Sequence, residues 1–143
     1  MPENVDLALL IAVFGVNRNG KIAGRTRIQK IVCLLQYQAK IPFSFNFKPY
    51  YYGPYSDELS EAINTLVGMK LLEEKIIPTR FFSFRYDYEL TPKGKQLFCK
   101  IKERLEKSIN KLETEVETYD NVKTPDLVKF AKEITGIDSI SKS

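Results

Sequence analysis

The segment from Ser56 to Leu97 constrains this chain more than any other, because it encodes a helix, a two-stranded hairpin and a second helix without interruption. Ser56 stands before Asp57-Glu58-Leu59-Ser60-Glu61, an N-cap followed by acids that suit the positive end of a helix dipole. Leu59, Ile63, Leu66 and Val67 recur at helical spacing until Gly68-Met69-Lys70 ends the element. Leu71 to Ile77 reads as a strand and Pro78-Thr79-Arg80 as a turn. The return run alternates, with Phe82, Phe84, Tyr86, Tyr88 and Leu90 on one face and Ser83, Arg85, Asp87 and Glu89 on the other. Thr91 caps the next helix and Pro92 takes its first position. A helix with a hairpin leaning on it is the second half of a winged helix, a fold that commonly touches nucleic acid.

The flanking sequence completes that reading. A first helix is expected from about Glu3 to Val16, with Val5, Leu9, Ala12, Val13 and Val16 on its apolar stripe, and Asn17-Arg18-Asn19-Gly20 as its stop. A second helix begins near Thr26, whose hydroxyl can cap it, with Arg27, Gln29 and Lys30 on its exposed flank. Phe43 to Phe47 alternates and suits a short strand bordering the wing, followed by a rigid aromatic turn from Lys48 to Ser56. From Pro92 one helix can run to about Tyr119, with Phe98, Ile101, Leu105, Ile109, Leu112, Val116 and Tyr119 along a near-heptad seam. Such a helix is about 42 Å long at 1.5 Å per residue, so its outer half needs a partner. That partner is the same helix of a second subunit or the chain's own last helix, which restarts at Thr124-Pro125-Asp126 and ends at Gly136. Ser139 to Ser143 reads as a frayed tail.

The expected fold is therefore mainly α with a small β-wing (α+β): a winged helix-turn-helix over residues 1–91, then a long and a short helix over 92–143. A hydrophobic content of 43% in 143 residues suffices for one packed core. No run approaches the roughly 18 apolar residues of a membrane span, and the first residues lack the basic region of a secretory signal. Of the two cysteines, Cys33 sits in an apolar run as a buried thiol does, and a reduced, cytoplasmic protein is expected. The sequence contains no histidine, Gly-rich phosphate loop or CxxC pair, so no catalytic residue, metal site or cofactor is expected, and the protein reads as non-enzymatic.

Charge is unevenly spread. Between Asp6 and Asp57 there is no acid, while Arg18, Lys21, Arg25, Arg27, Lys30, Lys40 and Lys48 supply seven cations. That asymmetry either focuses positive potential on phosphate or forms a solvated surface. Arg25, Arg27 and Lys30 crowd the first turns of the second helix, where cations oppose the dipole unless an anion or an acid of the next helix faces them. Tyr50, Tyr51, Tyr52 and Tyr55 can stack on bases or peptide, or pack the bend that Gly53 and Pro54 shape. Arg80 at the wing tip and Arg85 on its outer face fit phosphate contacts.

Three phrases in order, Gly24-Arg25-Thr26-Arg27-Ile28-Gln29-Lys30, Tyr52-Gly53-Pro54-Tyr55-Ser56-Asp57-Glu58-Leu59 and Tyr88-Glu89-Leu90-Thr91-Pro92-Lys93-Gly94, resemble the YwgA-like proteins of bacteria and archaea. More distantly they are similar to the Panacea-type antitoxin domain, and the last phrase resembles the join of wing and closing helix in PadR- and MarR-like regulators. The resemblance covers about residues 5–105. It implies a winged helix with no established enzymatic role.

The function expected from this reading is duplex DNA binding of the transcription-regulator type. Arg25, Arg27, Lys30, Lys48, Arg80 and Arg85 would contact phosphate, and Tyr52, Gly53, Pro54, Tyr55 and Ser56 would form the motif turn. A homodimer would form along Ile101, Leu105, Ile109, Leu112 and Val116 in a coiled coil. One feature opposes it: the third helix, which would enter the major groove, opens with Asp57, Glu58 and Glu61 and carries no cation before Lys70. The alternative is a protein–protein interaction module, antitoxin-like or an adaptor, using the acidic helix, the tyrosine turn and the protruding helix.

Overall fold

The first helix is apolar almost all round, and a helix of that kind must be wrapped by others. In the computed structural model, which describes residues 4–17 and 20–140, it runs over Asn4–Val16 (α1) and every residue from Leu9 to Phe14 is at most 4% exposed. Around it lie β1 (Lys21–Ala23), α2 (Arg25–Tyr37), β2 (Lys48–Tyr50), β3 (Gly53–Tyr55) and α3 (Asp57–Gly68). The chain continues through β4 (Leu72–Pro78), β5 (Phe84–Leu90), α4 (Pro92–Arg104), α5 (Glu106–Asp120) and α6 (Thr124–Thr135). The architecture is mixed α+β: the described residues form six α-helices, an antiparallel sheet ordered β1-β5-β4, and a separate two-stranded ladder of β2 and β3. Arg18 and Asn19, part of the expected stop and charge run, lie outside the described residues, as do positions 141–143.

The third helix and the hairpin follow the sequence closely. Ser56 Oγ accepts a hydrogen bond from the Leu59 amide at 3.1 Å, and Thr91 Oγ1 does the same for Gly94 at 3.0 Å, so both N-caps form as read. β5 is the central strand, with Tyr88 opposite Ile22 of β1 and Glu74 of β4. The short strand β1 carries no periodic signal of its own and was not anticipated. Alternation along β5 holds only at its base, where Tyr88 and Leu90 are buried; Phe84 and Tyr86, on the same face, are exposed because the hairpin outruns the helices beneath it. Asp87, expected outside, is buried against Arg85.

Three expectations need correction. Phe43 to Phe47 is not a strand, although burial alternates along it: its backbone is held by side chains rather than by a neighbouring strand. The Asp6 carboxylate accepts from the Ser44 amide (2.9 Å) and hydroxyl (2.5 Å), Gln36 exchanges two hydrogen bonds with the Phe45 backbone (2.8 and 3.2 Å), and Glu58 accepts from the Asn46 amide (2.7 Å). The second helix starts at Arg25, one residue early; its N-cap is Gly24 at φ 95°, with no side-chain cap from Thr26. The long helix is two helices, bent at Leu105 (φ −126°, ψ 40°).

That bend decides where the apolar seam goes. Ile109, Leu112 and Val116 are fully buried and Tyr119 nearly so, packed within the same chain against α1 and α2. The seam therefore faces the chain's own core, and Ile109, Leu112 and Val116 are not available to a second subunit; Ile101 is half-buried and Leu105 alone of the five is 43% exposed. Burying each such side chain is worth roughly 1.5–3 kcal/mol. The bend forfeits little, since Leu105 N still donates to Ile101 O and Ile109 N to Leu105 O, both at 2.9 Å. One hydrophobic cluster runs from Leu9 to Leu127 across the expected boundary at residue 91. α6 ends at Gly136 in a left-handed conformation (φ 72°), as read. The tail is tied at Ile140, whose amide donates to Tyr50 O at 2.8 Å.

Candidate functional site

Of the six cations expected to meet phosphate, three lie on α2, Lys48 lies on β2 and two lie on the β4–β5 hairpin. Those of α2 point inward. Gly24, at positive φ, turns the chain from β1 into α2 and sets the Arg25 guanidinium 5.3 Å from the centre of the Tyr88 ring. Arg25 Nε donates to the Tyr88 hydroxyl (2.6 Å), Nη1 to Ser60 Oγ (2.5 Å) and Nη2 to Asn64 Oδ1, with Glu74 at 3.7 Å. Tyr88 in turn donates to Glu74 Oε2 at 2.6 Å, and burial pushes its phenol up to about 12. Arg25 is thus a strut between α3 and the sheet.

Arg27 caps a distant helix end. Its guanidinium donates to the carbonyls of Val122 (2.7 Å), Asp120 (2.9 Å) and Tyr119 (3.1 Å) and to Thr124 Oγ1 (3.3 Å), where the last turn of α5 leaves acceptors unpaired and the dipole is negative. Gln29 and Lys30, expected on the exposed flank, are 1% and 2% exposed. Gln29 exchanges two 2.9 Å hydrogen bonds with the Ser56 backbone, fixing the start of α3. Lys30 Nζ donates to Pro54 O at 2.6 Å, and burial lowers its ammonium to about 8. Lys30 is out of reach of any phosphate. The sequence suggested acids of α3 as the alternative partners of these cations; they are instead hydroxyls, an amide, backbone carbonyls and Glu74.

The motif turn has the same structural logic. Gly53 (φ 87°) and Pro54 carry β3, Pro54 O receives Lys30, and Ser56 caps α3 while bound by Gln29. Tyr50 stacks on Tyr55 with ring centres 4.4 Å apart, and Tyr51 and Tyr52 remain about half exposed. An open hollow of about 560 Å³ beside Tyr52 is lined by Thr26, Thr124, Pro125 and Val128. Lys48 pairs with Asp57 at 2.6 Å in the open, an arrangement worth little in water.

The last two lie on the β4–β5 hairpin. Arg85 Nε and Nη2 donate to the two Asp87 oxygens at 2.7 and 2.8 Å, a fork that holds the Asp87 carboxyl below its usual range. Arg80 is exposed at the tip. Beside it are two residues that the sequence reading left out of its site: Phe81 is 93% exposed and Phe82 fully so, with Ile76, Phe84 and Tyr86 exposed behind them on the same sheet face. Phe81 and Phe82 also turn the hairpin, at φ 63° and 58°. The connection closes over Arg80–Phe82, with Thr79 N donating to Ser83 O at 2.9 Å, and a side chain in the left-handed region there costs about 1–2 kcal/mol per residue, so such positions usually hold Gly or Asn. The available signal was the lack of Gly or Asn between two strands.

No family model matches the chain. It is 33% identical over 87 residues to the uncharacterized protein YwgA of Bacillus subtilis (strain 168). The chain is similar to YwgA. The match takes in 61% of this chain and spans about half the length of that relative. Among the described residues, no group of three or more His, Cys, Asp or Glu is arranged to hold a metal ion, and no helix is long and apolar enough to cross a membrane.

Proposed function

We propose that this chain is a winged-helix interaction module that docks the aromatic tip of its wing into an apolar pocket of a partner protein. The element order α1-β1-α2-β2-β3-α3-β4-β5, which matches a winged helix apart from the β2–β3 ladder inserted between α2 and α3, and the position of β5 between β1 and β4 support the winged-helix reading. The observation that carries the functional reading is the pair Phe81 and Phe82. Two phenylalanines at a turn that disfavours them, with their rings in water, conflict with both local backbone preference and burial. Exposed aromatics continuous with an apolar patch are a common form of binding hot spot.

Duplex reading through the α2–α3 face is the weaker alternative. Arg25, Arg27 and Lys30 are spent on internal acceptors. The connection between α2 and α3 occupies residues 38–56, far from the three- or four-residue turn of a helix-turn-helix. The exposed side of α3 carries Asp57, Glu58 and Glu61, which repel phosphate. The test is affinity capture with the wild type, F81S/F82S and a distant surface control, Lys40→Glu. A partner retained by wild type and control and lost by the wing variant is expected. Equal retention by all three overturns the reading.

A further inference from the structure

The acid-free stretch is not the only concentration of positive charge in this chain, and its Arg25, Arg27 and Lys30 are engaged by internal acceptors. Seven of the 22 basic residues and two of the 18 acidic ones lie between Pro92 and Lys111, leaving the rest of the chain with one acid in excess. Every cation in that segment is exposed, and among the described residues none forms an ion pair. At 3.6 residues per turn, Lys93, Lys100 and Arg104 form one stripe along α4, and Lys95 and Lys102 form a second roughly 180° away. Gln96, Cys99 and Glu103 lie on the outward face between them, while Leu97, Phe98 and Ile101 turn toward α1 and are half-buried.

We propose that α4 is a docking surface for the phosphate backbone of duplex nucleic acid, separate from the wing. A polyanion is the complement of unpaired cations on both flanks of an exposed helix. A helix is about as wide as the major groove, so the two stripes are placed to reach opposite strands. An anionic membrane is the poorer fit, because a helix lying on lipid inserts an apolar face, and α4 spends its apolar face on the protein core. With a protein on the wing and phosphate on α4, the chain would tether one to the other.

The experiment is fluorescence anisotropy with a labelled random-sequence duplex, from about 50 to 200 mM salt, on wild type, K95E/K102E, K100E/R104E and the milder K100Q/R104Q. Wild type is expected to bind in the micromolar range at the lowest salt. Each charge-reversal pair should weaken binding at least tenfold and flatten the log–log salt slope by about 2, at roughly 0.9 per phosphate. The glutamine pair should do so in part. Thermal midpoints should stay at the wild-type value, because none of these four side chains makes an internal polar contact. F81S/F82S should bind the duplex as wild type does, so failure of the wing reading and failure of this one are told apart. Absence of duplex binding at 50 mM, affinity unchanged by both reversal pairs, or binding to phosphatidylserine vesicles but not to duplex would each overturn the proposal.

Discussion

Replacing Phe81 by Asn and Phe82 by Gly should make the protein more stable. Both phenylalanines hold φ near +60°, which costs about 1–2 kcal/mol for each residue with a side chain. Asn tolerates that region better than most residues, and Gly adopts it freely. Neither ring loses burial on replacement, since they are 93% and 101% exposed. Against the relief stands the greater unfolded-state freedom of Gly, about 0.5–1 kcal/mol. The balance is a gain of about 1–2 kcal/mol. For a chain of this length each kcal/mol moves the midpoint by roughly 2–4 °C, so a rise of about 3–6 °C is expected. Calorimetry and urea denaturation should agree, with an unchanged urea slope because the exposed area on unfolding barely changes. An unchanged or lower midpoint would refute the reasoning, since it would mean that the rings contribute to folding and need no external partner. A gain in stability with loss of partner binding is the signature of a site kept for function.

Other consequences follow from the same geometry. Lys30, lowered to about 8 from 10.5, is protonated more readily in the unfolded chain, so its contribution to stability rises with pH between those values and is flat below pH 8. Cys33, pushed up to about 12 by burial, works in the opposite direction above pH 9. Lys30→Met should therefore abolish the rise between pH 8 and 9 in chemical denaturation; an identical profile in the variant would contradict the burial argument. Leu112→Ala, at a fully buried position of α5, should cost about 2–5 kcal/mol without changing the sedimentation coefficient, whereas a shift from dimer to monomer would restore the coiled-coil seam. Gly94→Ala should destabilise strongly, because its Cβ would overlap the Leu71 carbonyl oxygen; a wild-type midpoint would show that the β4–α4 join yields.

Sequence patterning exposed the elements better than their partners. Caps at Ser56 and Thr91, the left-handed stop at Gly136 and the buried thiol at Cys33 are local or compositional signals, and each was readable. The bend at Leu105 was not, because its neighbours are good helix formers and tertiary burial of Ile109 to Tyr119 is what turns the chain. Arg25, Arg27 and Lys30 read as surface because charged residues are seldom internal. Their partners are carbonyls, hydroxyls and an amide supplied by segments 24 to 97 residues away, which no local pattern encodes. The alternation puts Phe82 and Phe84 on one face with Tyr88 and Leu90, but the pattern cannot tell where the covering helices end, and only the latter two are buried. The lysines of α4 are plain in the sequence, whereas their exposure and, among the described residues, their lack of ion pairs come from the fold.

The most direct test of the role proposed for the β4–β5 tip is a photo-crosslinking amino acid at position 82 in the cells that make the protein, with position 40 as the control. A single discrete protein adduct from position 82, absent from position 40, is the predicted result. No adduct from position 82, or the same adducts from both positions, would contradict it.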